Sequence, residues 1–434
     1  MKLYESAHRQ SLRRWVVIGA LALGVAACGG GSSGASASGG GGSVGVGAGA
    51  GNDVQTPAAT TSTLTATLSG DQETTPTVTG ALGNGTLTLS LPSRALSGGI
   101  SINGMTATAA HIHLGDVGNN GSVIVDLTES APGSGNWSVS AGTVLTDVQV
   151  TAFSAGRLYF NAHTTPNPGG EIRGQIGREV YAAQLSARQE VPTNASTATG
   201  MGFVSLDPTT KRVTARLTLN SIAATAAHIH IGTVGANGSV IVPMTETVAG
   251  SGIWVAATDT TMTDAQITAM KSGGLYFNAH SGAFPGGEIR GQIARNIGYA
   301  SLNASQEVPI IASLTTSTVA AAGYGSAYAA PIVPVNASLA TGIGTLAIDP
   351  LTRAVSGGIT LTGMIATAAH IHAAAPGDNG PVLIALTDAG GGVWTVPANT
   401  IMTAAQLKIF KQGNLYFNAH SVAFPTGEIR GQIR

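Results

Sequence analysis

Nine of the ten histidines in this 434-residue chain fall into one pattern written three times, and imidazoles gathered in that way could hold a transition metal. Each copy has a His-Ile-His triplet, His111/His113, His228/His230 or His370/His372. Further along, a third histidine, His163, His280 or His420, ends Leu-Tyr-Phe-Asn-Ala-His. Side chains two apart on a strand share a face, so both triplet imidazoles point one way and the isoleucine between them points the other. A third imidazole from a neighbouring strand would complete a three-nitrogen set with an open position, a start for Zn²⁺ or Cu²⁺. The competing account is structural: imidazoles also bond to carboxylates, guanidinium groups and backbone carbonyls, and so fix strand register with no metal.

Parity extends the polar face. In Leu158 to His163, Leu158, Phe160 and Ala162 share the apolar side, which leaves Tyr159, Asn161 and His163 opposite. The same rule groups Glu171, Arg173 and Gln175. If Ile112, Phe160 and Ile172 mark the core, and if the three strands are neighbours, these groups converge with His111 and His113. The set recurs as His228, His230, Tyr276, Asn278, His280, Glu288, Arg290 and Gln292, and as His370, His372, Tyr416, Asn418, His420, Glu428, Arg430 and Gln432. A redox or hydrolytic reaction would need an open three-histidine metal with Glu171 as base. The motif holds no fixed Ser or Cys nucleophile, and Glu171 has an evident partner in Arg173, so an ion pair is the simpler account.

The elements that must position these groups are also repeated. Each copy opens on Gln-Glu (Gln72-Glu73, Gln189-Glu190, Gln306-Glu307) and closes on Gly-Glu-Ile-Arg-Gly-Gln-Ile. Stretches such as Thr86 to Leu91 and Val213 to Leu219 alternate apolar with polar residues, as half-buried antiparallel strands do. Asn120-Gly121, Asn237-Gly238 and Asn379-Gly380 are expected to supply turns with positive φ. Thr146 to Gln149, Thr263 to Gln266 and Thr403 to Gln406 match a helix capping box, with Gly156, Gly273 and Gly413 ending each short helix. The third copy carries an insertion near 311–335, of bland Ala, Ser, Thr, Tyr and Pro composition, read as a disordered loop.

Charged residues make up only 9 % of the chain, its formal net charge is −1, and Gly, Ala, Thr and Ser abound. That balance favours short strands over helices and offers no basic stripe to neutralise phosphates, so nucleic acid is excluded as a partner. The amino terminus reads as an address: Arg13 and Arg14, an apolar run from Trp15, then Val25-Ala26-Ala27-Cys28, which resembles a lipobox. Residues 1–27 are then a signal peptide, and Cys28, the single cysteine, carries the lipid that makes a membrane the partner. The run is too short to span a bilayer. Gly29 follows Cys28 in place of the aspartate that retains lipoproteins in the inner membrane, which favours an outer membrane where one exists. Residues 28–62, rich in Gly, Ser, Ala and Thr, read as a flexible tether with a reach on the order of 30 Å.

Ala-His-Ile-His-Leu-Gly from Ala110, Leu-Tyr-Phe-Asn-Ala-His-Thr from Leu158 and Asn-Pro-Gly-Gly-Glu-Ile-Arg-Gly-Gln-Ile from Asn167 resemble the blocks of the CHRD domain. This module is named after animal chordin and is also found in bacterial extracytoplasmic proteins. The resemblance covers residues from about 63 to 434 and implies extracellular β-rich modules without an established enzyme activity. Chordin's growth-factor binding is assigned to cysteine-rich modules that are missing here. The His-X-His strand is also similar to that of copper-zinc superoxide dismutase, as a local analogy only.

The resulting expectation is a mostly-β protein of three tandem antiparallel β-sandwich modules of Greek-key type, each with one short helix, at 63–178, 179–297 and 298–434. Its role is that of a lipid-anchored cell-envelope element for binding or structural display, with an extracytoplasmic protein or glycan as ligand. The rivals are a copper- or zinc-binding protein using three histidines per module, and a metal-dependent redox or hydrolytic enzyme.

Overall fold

The computed structural model describes residues 60–294, 296–307 and 336–434. Cys28, the expected signal peptide, most of the expected tether and the 311–335 insertion lie outside the described residues.

In the first copy the alternating stretches form β1 (Thr60–Ser69), β2 (Leu82–Leu91), β3 (Ala95–Asn103), β4 (Ala109–Leu114), β5 (Ser122–Glu129), β6 (Asn136–Val139), β7 (Leu158–His163) and β8 (Ile172–Gln175). Helix α1 (Asp147–Ser154) lies between β6 and β7. All neighbours pair antiparallel in the order β1-β2-β3-β6-β5-β4-β7-β8, and the circle closes where Ser69 of β1 meets Arg173 of β8. The expected sandwich is therefore corrected to a closed barrel. Two facing sheets would leave four edges of unpaired backbone, whereas closure leaves none. Gln72 reinforces the seam: its amide donates to the Thr67 carbonyl at 2.6 Å, and its oxygen accepts from the Gln175 backbone N–H at 3.4 Å.

The second copy repeats the circuit between Glu179 and Gln292, with a helix at Asp264–Lys271. The third forms a nine-stranded sheet whose two ends, Val382–Ala385 and Thr387–Gly390, are halves of one stretch interrupted at Leu386. It thus comes round on itself in the same way.

One residue of every pair along each strand points inward. Leu68, Leu87, Ile112, Leu158, Phe160 and Ile172 are all fully buried in the first barrel. A ring as large as Phe160 fits because a glycine faces it: a Cβ on Gly85 would lie 2.6 Å from the ring, one on Gly202 2.5 Å from Phe277 and one on Gly344 2.7 Å from Phe417. The three helices start on complete capping boxes at Thr146, Thr263 and Thr403, and bury Phe153, Met270 and Leu407 in the cores of their barrels.

The Asn-Gly pairs differ from expectation. Positive φ falls instead to Gly118, Gly235 and Gly377. Gly121, Gly238 and Gly380 are needed for close approach, since a Cβ there would overlap the carbonyl oxygens of Leu114, Ile231 and Ala373.

Boundaries shift slightly. β1 already begins at Thr60, inside the expected tether, and strand Asn296–Asn303 pairs with Thr341–Ile348 of the third barrel, so that barrel starts before residue 298. The barrels also touch one another. Arg178 bonds Asp207 at 3.0 Å, and Lys411 of the third barrel reaches Asp71 of the first at 3.0 Å in a nearly buried pair.

Candidate metal centre

β4 lies between β5 and β7, and β7 lies between β4 and β8, so the neighbourhood assumed from parity exists. His111 faces Asn161, which faces Arg173; His113 faces Tyr159, which faces Gln175; His163 sits opposite Ala109. The outward wall is not wet. Arg173 and Gln175 are each 1 % exposed, and Tyr159, Asn161 and His113 are also buried, beneath the segments that carry Glu73, Gly121 and Pro168.

The three imidazoles meet. His111 Nδ1 is 3.0 Å from His163 Nε2, and ligand nitrogens of His111, His113 and His163 all lie within 4.8 Å of one another. The same holds for His228, His230 and His280 (3.3 Å between the first and third) and for His370, His372 and His420 (3.1 Å).

Backbone carbonyls fix the tautomers, because a carbonyl can only accept. His113 Nδ1 donates to the Gly121 carbonyl at 3.0 Å and His163 Nδ1 to that of Pro168 at 3.0 Å, so each ring turns a lone pair on Nε2 toward the centre. His230 and His280 do so through Gly238 and Pro285, and His372 and His420 through Gly380 and Pro425. Orientation of a ligand ring by a carbonyl on its far nitrogen is the arrangement metal-binding histidines use. His113, His230 and His372 leave Nε2 buried without any partner. Burial pushes the imidazoles of His113, His163, His230, His372 and His420 below their ordinary value, keeping them neutral and able to ligate.

A metal bonded at about 2.0–2.1 Å to each nitrogen sets tetrahedral nitrogen–nitrogen separations of about 3.4 Å. The first and third histidines of each copy already stand at 3.0–3.3 Å. The second ring's ligand nitrogen lies within 4.8 Å of the other two. The residues present fit such an ion.

Behind the histidines is a layered support. His113 stacks on Tyr159 at 4.8 Å and 14°, and the Arg173 guanidinium lies 3.6 Å from the other side of that ring. Arg173 donates to the Asp116 and Asn119 carbonyls and to Gln175. Arg290 and Arg430 cover Tyr276 and Tyr416 in the same way.

One expected contact fails. Glu171 is not the partner of Arg173: its carboxylate accepts from Thr79 at 2.7 Å, Thr164 at 2.5 Å and Asn167 at 3.3 Å. β8 begins only at Ile172, and Gly170 ahead of it has φ +133°, so the strand parity that aligned Glu171 with Arg173 does not reach it. Glu288 and Glu428 likewise accept from Ser196 and Ser338. Burial raises the Glu171 carboxyl, but hydrogen bonds from the two threonines and Asn167, with the charge of Lys408, outweigh it and leave it below the usual range.

The carboxylate that does couple to the arginine is Glu73, from the Gln-Glu pair that opens the module. Burial pushes it up to about 7, against the pull of Arg173 and a hydrogen bond from Asn161. Glu190 and Glu307 are pushed up to about 7 by the same burial, with Asn278 and Asn418 as partners. The signal was the recurrence of Gln-Glu at one place in all three copies.

A family model for the CHRD domain matches residues 64–176, 181–293 and 299–433. The chain belongs to the CHRD domain family. Each CHRD match takes in one barrel with its His-Ile-His strand, its third histidine and its buried arginine. Among curated proteins, none matches this chain. Three tandem CHRD modules support a binding or structural role.

Proposed function

We propose that the protein is a cell-envelope metal-binding protein, anchored by lipid on Cys28, in which each CHRD barrel presents three imidazoles to one Zn²⁺ or Cu²⁺ ion. The observation that carries this reading is the buried, unpartnered Nε2 of His113, His230 and His372, aimed at two further imidazole nitrogens in a tautomer set by backbone carbonyls. A buried polar atom left without a partner is costly, and a bound cation removes that cost. The lipobox at Val25 to Cys28 supports the envelope placement. In that setting, linked copies would act as a local store of metal or as a multivalent surface for an extracytoplasmic protein or glycan.

The second reading is a hydrogen-bonded network that fixes strand register, and the 3.0 Å contact between His111 and His163 favours it. Metal analysis separates the two. Protein prepared without an affinity tag should carry close to one Zn²⁺ or Cu²⁺ per barrel after dialysis against the ion, and His113→Ala should lower the total by one site. Metal content at background in the parent protein would leave the network as the account.

A further inference from the structure

Among the differences between the three centres, one bears directly on the first histidine of the triplet. Opposite the first histidine of each triplet, across the neighbouring strand, stand Asp126 in the first barrel, Pro243 in the second and Ala385 in the third. Asp126 Oδ1 lies 3.6 Å from His111 Nε2, the nitrogen that points away from the other two imidazoles. His111 turns Nδ1 inward, 3.0 Å from His163 Nε2. Because His163 Nε2 has only a lone pair to offer, the metal-free His111 must keep its proton on Nδ1. Metal binding at Nδ1 requires that proton to move to Nε2 or leave. A carboxylate beside Nε2 favours the tautomer with the proton there and makes Nδ1 the stronger donor. Pro243 and Ala385 can do none of this for His228 and His370.

Resting on the metal reading above, we propose that Asp126 is a positioning residue that makes the first barrel's site tighter than the other two, so that the chain fills its first site before the rest. Loss of such a supporting carboxylate lowers metal affinity by about 10–100-fold. Asp126 is solvent-exposed, so its effect belongs at the lower end, about tenfold.

The test is a Zn²⁺ titration of the tag-free mature protein at pH 7 in competition with a chromogenic chelator. The parent should show one site about tenfold tighter than two weaker, equal ones. Asp126→Asn should give three equal sites with unchanged stoichiometry, and thermal unfolding in chelator should stay where it was, because the exposed side chain holds no part of the core. Asp126→Glu should restore part of the difference, and Ala385→Asp should create a second tight site. Three indistinguishable sites in the parent, or a tight site that survives Asp126→Asn, overturns the role of Asp126 while leaving the metal reading standing. No Zn²⁺ bound at any barrel overturns both.

Discussion

Phe160 and Asn161 are neighbours on β7 and both are shut off from solvent, yet they are held by opposite means. Phe160 points into the barrel among Ile100, Ile112 and Ile172, and needs only space, which Gly85 supplies. Asn161 points outward into a wall of imidazole, guanidinium, amide and carboxyl groups, where each polar atom needs a partner at the right angle. The inner side asks only for apolar groups whose shapes fit together; the outer side also needs a partner for each polar atom, because one lost partner strands another. A polar wall of that kind, built three times over, is more than barrel closure requires, since strand pairing already closes the circle.

The comparison predicts the largest loss on the inner side. Phe160→Ala should lower the stability of the first barrel by about 3–5 kcal/mol, as for other buried aromatic truncations, because the wall around Gly85 cannot collapse into the space. Chemical denaturation followed through Trp137 in the same barrel would check it. A loss below about 1 kcal/mol would mean that the interior is loosely filled and that the two sides of β7 are less unlike than their chemistry suggests.

On the outer side, Arg173→Met keeps most of the volume and removes the guanidinium. It leaves the Asp116 and Asn119 carbonyls and the Gln175 oxygen short of donors, and exposes the face of Tyr159. The expected cost is about 2–3 kcal/mol, because stranded buried acceptors lose their bonds. The substitution should also loosen the ring of His113, which stacks on Tyr159, and so weaken metal at the first site in the same titration. A neutral or stabilising outcome would show that the polar wall can be exchanged for apolar packing, with only function left to explain its presence.

Much of this could be read from the residues. Alternation at Thr86 to Leu91, the capping boxes and the parity of His111, His113, Tyr159 and Asn161 are local, set by backbone geometry over a few positions, and the structure keeps them. Closure into a barrel rests on Ser69 meeting Arg173, a pairing between the ends of the module that no local pattern specifies. Glu73 escaped for the same reason. It follows a short 3-10 turn at Gly70–Gln72 and reaches Asn161 only because the fold brings distant segments together. Glu171 misled because strand parity was extended one residue beyond the true start of β8.

The smallest predicted effect sets the two kinds of titrating group in the polar wall against each other. Glu73, Glu190 and Glu307 have folded pKa values raised to about 7 from an ordinary 4.5. Between those values the folded chain keeps protons that the unfolded chain has lost, so their contribution is full below about pH 4.5 and falls as pH rises to about 7. The histidines lie below their ordinary 6.5, at His113, His163, His230, His372 and His420 among others. Below 6.5 the unfolded chain takes up protons that the folded chain refuses, so their contribution falls as pH drops. From about 4.5 to 6.5 the slopes oppose and the parent protein, in chelator, should show a shallow profile. Glu171, Glu179 and Asp207, all lowered, lose their contribution only at more acid pH. Replacing the three raised carboxyls together, Glu73→Gln, Glu190→Gln and Glu307→Gln, removes one slope and supplies an N–H donor to the unpartnered Oδ1 atoms of Asn161, Asn278 and Asn418. The triple variant should then gain stability steadily from pH 5 to 6.5 and exceed the parent above pH 7, read as urea midpoints across the range. Coincident profiles for the two proteins would mean that these carboxyls stay ionised in the fold, and that the polar wall holds them by charge on Arg173, Arg290 and Arg430.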